Sequence, residues 1–427
     1  MSTKKIALSV CSMLFFVAAS QRALAAPIIL SDVNIRPLHQ FVPGTEIVTA
    51  RNTPDGIEVS EGFKITPFFN QSVGYNSNVF ATQSNTEDGF SLSSVGTLMD
   101  FQQNALSFNG SVEGEIYNYF RSTSENQNNL AARGVLGYDS GDLGNFQLEL
   151  RHISAHDLRG DPDNDAGSVE PIGYTLDSAK LIYTKKIADF TTSLSAGLVG
   201  TEYDDTLSNS NTFINNSDRD YEREQYEASV SYDVNSDLSF YGRGIFTVFD
   251  YSQALDDSGF NRDSTGNRFE VGSVYAITPL LNVDAFVGLQ ERDYDDARLK
   301  DIDNVVFGTQ VNWSVTSLVN VRFFVERYLL ETISPLVSGV VADRAGIRFD
   351  HEILPHWVWS GQFTRQWENF EGTSRDDVLD FAGIQSAYYL SQGFSITMQI
   401  QRVIRDTATL PSRYDQNTAL VGLRFAY

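Results

Sequence analysis

Cysteine is almost missing from this chain: the only one in 427 residues is Cys11. It lies in an apolar stretch ahead of a cleavage pattern. The mature chain therefore has no disulfide framework and no thiolate metal site. Bases are scarce too, with 31 Lys and Arg against 55 Asp and Glu. Removing residues 1–25 takes away Lys4, Lys5 and Arg22 and no acid, which leaves 28 − 55 = −27. Nucleic acid is excluded as a partner, because phosphate binding needs clustered positive charge. Past the amino terminus no apolar run reaches the ~20 residues of a membrane helix.

What is there begins with a secretory signal peptide over residues 1–25. Lys4 and Lys5 open it, Ile6 to Ala19 form a short apolar stretch, and Ala23-Leu24-Ala25 is a small-x-small cleavage site. Residues 26–62 carry Pro27, Pro37, Pro43 and Pro54 and no sustained periodicity, and are read as a periplasmic lead-in.

From Phe63 to Tyr427 the chain alternates. The last nine residues show the pattern plainly: Ala419, Val421, Leu423, Phe425 and Tyr427 interleave with Leu420, Gly422, Arg424 and Ala426. A period of two marks a strand with a different solvent on each face. Eighteen such runs follow one another, from 63–80 and 88–101 to 393–405 and 415–427. The span 63–427 holds 365 residues, about 20 per strand with its connection, which suits tilted spanning strands of ~9–11 residues with extensions and loops.

The connections alternate short and long. Thr278-Pro279, Thr316-Ser317 and Leu354-Pro355 are short, whereas Ala155–Glu170, Asp204–Asp220 and Ser252–Thr265 are long. Membrane barrels sort their connections this way, with short periplasmic turns and long extracellular loops. Aromatics gather near the short turns: Tyr232, Tyr275, Trp313, Trp357, Trp359, Tyr389, Phe425 and Tyr427. That is where an interfacial girdle belongs. The expected fold is all-β: one transmembrane antiparallel up-and-down barrel over 63–427 in the bacterial outer membrane. It has about eighteen strands, with sixteen as the alternative, and both termini periplasmic. Outer-membrane lipids and lipopolysaccharide would surround it.

The faces opposite the apolar ones assign pore-lining candidates. The early strands supply Glu113, Glu115, Arg133, Glu149 and Arg151. The middle strands supply Glu227, Arg243, Arg268, Glu270 and Asp284, and the later ones Arg322, Glu326, Arg344, Arg348 and Gln399. Acids and bases at similar depth would pair across the wall and line a hydrated passage, or simply keep the wall rigid. The five histidines assemble no Ser-His-acid spacing, so no catalytic residue is assigned. Asp161, Asp163 and Asp165 alternate as in a calcium loop. Ala166 and Ile172 stand where that loop needs Gly and Glu, so no metal or other cofactor is expected.

Two resemblances add to this. The strand ending in Phe425 and Tyr427 resembles the signal read by the barrel-assembly machinery. Gly74-Tyr75-Asn76-Ser77-Asn78-Val79-Phe80 resembles the first-strand GYDSNVF pattern of the putative β-barrel porin 2 group, with Asn76 where Asp is usual. The resemblance implies an eighteen-stranded barrel serving as the outer-membrane conduit for an exopolysaccharide or capsular polysaccharide, with periplasmic export components as partners. The alternative is a passive or substrate-specific diffusion porin. Its mark would be a long loop folded inward with acids facing bases. The 204–220 loop is long enough, but with Arg219 its sole base it reads as a solvated surface loop.

Overall fold

A computed structural model of the chain describes residues 54–164, 167–409 and 412–427. The expected signal peptide and the lead-in up to residue 53 lie outside them. Among the described residues, eighteen long strands form one antiparallel sheet closed on itself. In chain order β1 to β6 are Phe63–Asn76, Asp88–Gln103, Leu106–Tyr119, Gln127–Asp139, Asn145–His156 and Gly173–Ile187. Strands β7 to β12 are Phe190–Tyr203, Tyr221–Asp233, Leu238–Tyr251, Ser264–Thr278, Leu281–Tyr294 and Ile302–Thr316. Strands β13 to β18 are Val319–Leu330, Val340–Leu354, Trp357–Phe370, Asp376–Ser391, Phe394–Thr407 and Tyr414–Ala426. Each pairs with its chain neighbour, and β18 returns to β1 from Thr418↔Asn76 to Ala426↔Phe68. Eighteen is therefore the strand count, not sixteen. A short strand, Ile57–Ser60, folds back on the start of β1.

Closure follows from the solvent. A sheet edge in hydrocarbon leaves backbone donors and acceptors unpaired at several kcal/mol each, and only a closed ring removes the edge. The ring then sorts side chains by face. Along β10, Phe269, Val271 and Tyr275 point outward, with Phe269 and Val271 65% and 63% exposed. Their neighbours Arg268, Glu270 and Gly272 point inward, opposite Gln290, Gly288 and Phe286 of β11. The large exposed apolar surface is thus the lipid-facing wall.

The short turns keep strict geometry. Asn104, Ala188 and His356 take positive φ of 49°, 52° and 72° at three of them, the left-handed conformation that tight hairpins require. Above the short turns lies a belt of outward aromatics that includes Tyr232, Tyr275 and Trp313. Tyr389 corrects the expectation: it points inward and is buried, 5% exposed, while its neighbour Tyr388 faces out beside Trp357 at 6.2 Å. An alternating strand cannot put both residues on the lipid face.

Apolar cores are small and sit at the long-loop end, not at the barrel waist. Val337 of the 331–339 loop packs on Leu330, Val340, Ala342 and Phe370. Ala81 of the 77–87 loop packs on Leu379, Phe381, Val403 and Tyr414. These loops fold into the mouth because their apolar side chains are buried there, worth ~1.5–3 kcal/mol for a fully buried Val.

The facing pattern makes a direct prediction. Val271→Arg, at the middle of β10, should cost about 2–4 kcal/mol, whereas Gln310→Arg on the inner face of β12 should cost under about 0.5 kcal/mol. Denaturant unfolding of the barrel in lipid vesicles measures both. Reversed losses would mean that the two faces have been exchanged, and equal losses that lipid does not cover the β10 face.

Candidate functional site

The register puts every charged residue of the sequence-derived set on the inner face. Arg133 of β4 stands opposite Arg151 of β5, and Glu149 opposite Lys180 of β6. One chain of contacts crosses the wall from β6 to β10. Lys180 and Arg243 each lie 3.9 Å from Glu227. Arg243 Nε then donates to Glu270 at 2.7 Å, and Arg268 pairs with the other oxygen of Glu270. A second group stands apart on β13 and β14. There Arg344 Nε donates to Glu326 at 2.8 Å, and Arg322 Nε donates to Asn312 at 2.9 Å. Arg348 lies beside Asp350 at 3.3 Å. Tyr241 donates to Asp284 at 3.1 Å, and Gln399 donates to Gln401 at 2.8 Å. Glu113 and Glu115 remain on β3, on the other side of the ring.

The loops close in higher, at residues the sequence analysis had considered only as a failed calcium loop (Asp161, Asp163) and as the lone base of a surface loop (Arg219). The 157–172 loop, between β5 and β6, folds across the mouth. Its Asp163 carboxylate accepts from Thr332 Oγ at 2.6 Å and from Ser334 Oγ at 3.2 Å. Thr332 and Ser334 lie in the 331–339 loop after β13. Strands β5 and β13 are eight apart in a ring of eighteen, so the two loops meet from nearly opposite walls.

Each loop is anchored. Arg159 Nε donates to Glu125 at 2.7 Å and Arg159 Nη1 to Ser168 Oγ at 2.6 Å. Asp157 takes Arg219 Nη2 at 2.5 Å, and that guanidinium lies 3.7 Å from the Tyr203 ring. On the far side Arg262 is 2% exposed. It pairs with Asp256 at 2.6 Å and donates to the carbonyls of Thr332, Val337 and Ser334 at 2.7, 2.9 and 3.1 Å. Arg292 of β11 binds Glu331.

The gap left between these loops is lined by Asp157, Asp161, Asp163 and Glu331, with Arg219 and the Tyr203, Tyr221 and Tyr251 side chains. Burial pushes the Asp157 carboxyl up to about 6; Arg219 opposes the shift and Asp161 and Asp163 reinforce it. Arg219 is raised in spite of its burial, because the Asp157 charge holds its proton. Asp165 lies outside the described residues. The inward loop is therefore 157–172, with 204–220 as its buttress: Val169 N donates to Leu207 O at 2.8 Å and Asn209 N to Gly167 O at 2.7 Å. Apolar residues within the loops, such as Ile172 and Val337, were the one sequence signal of inward folding.

Elsewhere the chemistry is structural. The His152–Asp177 pair, 2.8 Å apart, is on the outer wall. The Gly74–Phe80 motif closes the ring. Asn78 is fully buried, and its Nδ2 donates to Thr82 O at 2.7 Å and to Asp415 O at 3.0 Å, which ties the first loop to the last strand. Phe425 stacks on Phe394 at 4.6 Å.

Comparison with known proteins follows the same lines. The family model of putative beta-barrel porin 2 matches residues 53–427. Among solved structures, OccK2 (OpdF) of Pseudomonas aeruginosa in complex with glucuronate is 14% identical, with 86% of this chain and 98% of that chain covered and a TM-score of 0.47. OpdL of the same organism is 12% identical, covering 86% and 99%, with a TM-score of 0.46. The siderophore receptor PirA of Acinetobacter baumannii is 10% identical, covering 84% and 80%, with a TM-score of 0.42. No curated protein matches the sequence. With the closed barrel and the family match over nearly all of its described length, the chain belongs to the putative beta-barrel porin 2 family and is an outer-membrane β-barrel porin.

Proposed function

We propose that the barrel is a diffusion porin, passive or substrate-specific, for small polar solutes, and that the crossed loops are its constriction. The observation that carries the reading is the Asp163 bridge to Thr332 and Ser334 across the mouth. It is the inward loop that a diffusion porin needs. Asp157 of the 157–172 loop meets Arg219 of the 204–220 loop, and Glu331 of the facing loop is held by Arg292 of β11. Opposed charge across a narrow gap orients a dipolar solute and admits water and ions between its walls. A polysaccharide conduit, the reading implied by the sequence resemblance, would have to clear these loops for every chain that passes. Their buried ion pairs oppose that: breaking one costs about 3–5 kcal/mol.

The same reading keeps the remaining sequence expectations as proposals. The signal peptide carries the chain out, and Phe425 and Tyr427 present it to the barrel-assembly machinery. The long loops face outward through lipopolysaccharide. Periplasmic export components would be partners only if the conduit reading held.

The test is single-channel recording of the purified chain in planar bilayers, beside uptake of small sugars into vesicles. Small conductance steps and size-limited uptake are expected. A silent channel, with surface polysaccharide lost on deletion of the gene, would return the conduit. Arg262→Ala leaves Asp256 buried without its cation and frees three carbonyls, so the 331–339 loop should loosen. The expected signs are larger conductance steps and protease cleavage within residues 331–339; unchanged values would remove this loop from the constriction. Ion selectivity should also follow pH. As pH falls through about 6, Asp157 takes a proton and the mouth loses one negative charge. Cation preference, read from reversal potentials, should decline between pH 7 and 5, and Asp157→Asn should abolish that step. A flat profile would place Asp157 off the ion path.

A further inference from the structure

The ring is forked between β12 and β13. Their ladder ends at Gly308↔Glu326. Beyond that rung β12 runs on to Ile302, still paired with Arg292 of β11, and β13 runs on to Leu330, still paired with Val340 of β14. The two continuations separate because one wall passes inside the other. Phe323 and Val325 mark the lipid-facing series of β13, and Ile347 and Phe349 that of β14. Leu329 and Val341 belong to the same two series, yet they are only 3% and 9% exposed. Their cluster includes Tyr294 and Ile302, which come from the inward series of β11 and β12. The outer face of the β13–β14 tip therefore lies against the inner face of its neighbours. Glu331, next after Leu330, reaches as far as Tyr251 of β9, whose hydroxyl donates to it at 3.3 Å.

Side chains, not backbone bonds, close the fork. A Cβ at Gly339 would stand 3.1 Å from Ile302 Cδ1 and 3.1 Å from Leu329 Cδ1, so the two side chains meet there across the fork. Phe260 and Leu299 complete the plug. On the lipid side the fork lies beside Val305, which is exposed on the outer wall level with Leu289. Arg327 Nε donates to Asp343 at 2.6 Å on the same face, so the charges flanking the fork answer each other. A strand edge in hydrocarbon has to be covered, and here packing covers it. Packing has no direction, and a molecule of similar polarity can take the place of the plug. On the lumen side stands Asn304, in the inward series of β12. Both of its amide atoms are buried with no hydrogen-bond partner in the protein, and a hydroxyl can donate to the one and accept from the other.

We propose that the fork is a lateral portal between the outer leaflet and the lumen, for a neutral amphiphile with an apolar body and a hydroxyl head. The body replaces the Ile302–Leu329 contact, and the hydroxyl is taken by Asn304. The plug residues carry no charge, so an ionised head would lose its hydration with nothing to answer it. The route enters below the 331–339 loop, and a molecule that takes it never meets the acids of the mouth. This goes beyond axial diffusion of polar solutes: lipid is the source, and the path runs through the wall instead of the loop gap.

The experiment places the full chain in lipid vesicles with a diazirine-bearing alkanol dissolved in the bilayer, and maps the photolabel by mass spectrometry. Outward residues such as Leu289 and Val325 should be labelled in every case. Label on the inward Tyr294 and Asn304 is the sign of the portal. The double variant Ile302→Cys with Leu329→Cys allows the fork to be stapled by a short, membrane-permeant bismaleimide; the one native cysteine is Cys11. Stapling should abolish the inward label and spare the outward one, and Leu329→Ala, which thins the plug, should raise the inward label. Heat-modifiable migration on gels confirms that the variants are folded barrels. Label confined to outward residues in the native chain, or inward label that survives the staple, overturns the portal. So does failure of the two thiols to join in a folded barrel, because the fork requires these positions to meet. No part of the readout needs conduction, so a channel that is silent yet labelled inside would remove the porin reading and leave the portal.

Discussion

Everything in this molecule depends on the backbone hydrogen bonds between β1 and β18. Until they form, two strand edges stand open, and in a membrane those edges cannot be satisfied by water. The pairing is reinforced at the long-loop end by Asn78, which reaches from the first loop to the Asp415 carbonyl. It is reinforced at the short-turn end by Tyr427 N, which donates to Pro67 O at 3.1 Å. Once the ring is closed, inside and outside exist, and each strand position has one solvent. The polar interior and the exposed apolar wall are consequences of closure.

Closure leaves a hole, and the loops decide what kind of hole it is. The clusters around Val337 and Ala81 draw their loops inward by apolar burial, which has no directional preference. Direction comes from buried arginines. Arg262 is committed to one carboxylate and three carbonyls of a loop whose path leaves few other choices. Arg159 does the same for the opposite loop. The two arms meet at Asp163 only because each is fixed at its root. Buried charge here selects a position more than it adds stability.

This division explains what could be read from the sequence. All eighteen strands were legible, because lipid on one side and water on the other impose a period of two over every run. Boundaries agreed within a few residues; the first run was drawn to 80, and β1 ends at Asn76. The inner-face charges followed from the same alternation. Where alternation was ignored the reading slipped, as at Tyr389. The mouth was not legible. The Asp163–Thr332 contact joins residues 169 apart, and no local pattern marks such a pair. Length and polarity suggested that 204–220 would be the candidate loop and would stay in solvent. In the fold that loop is a buttress, and its single base Arg219 is buried against Asp157. A composition rule cannot see that one base in a polar loop has found a partner in another loop.

Charge in this barrel is arranged in three ways, and each has a different effect on a passing solute. At mid-wall, acids and bases alternate from Lys180 through Glu227, Arg243 and Glu270 to Arg268. Neighbouring fields cancel within a few ångströms, so this stretch is polar without a strong preference for either sign. At the mouth, carboxylates outnumber bases. Between the two, Arg223, Arg268 and Arg292 line a recess of the inner wall, with Glu270 on Arg268 and Glu331 on Arg292. The inner surface therefore runs from an acid-rich rim, past arginines held by Glu270 and Glu331, to a balanced lining. Fixed charges in a narrow, partly dehydrated passage act over short range with little screening. Selectivity would thus be set in the first strand rungs below the loops, and the long balanced barrel beneath would serve mainly as a hydrated path. The chain's net charge of −24 is a poor guide to what such a channel prefers, because part of that acidity is carried by outward side chains such as Glu222, Glu224 and Asp250. What a solute meets is the local order of charges along the path, and that order is fixed by strand register and by two loops.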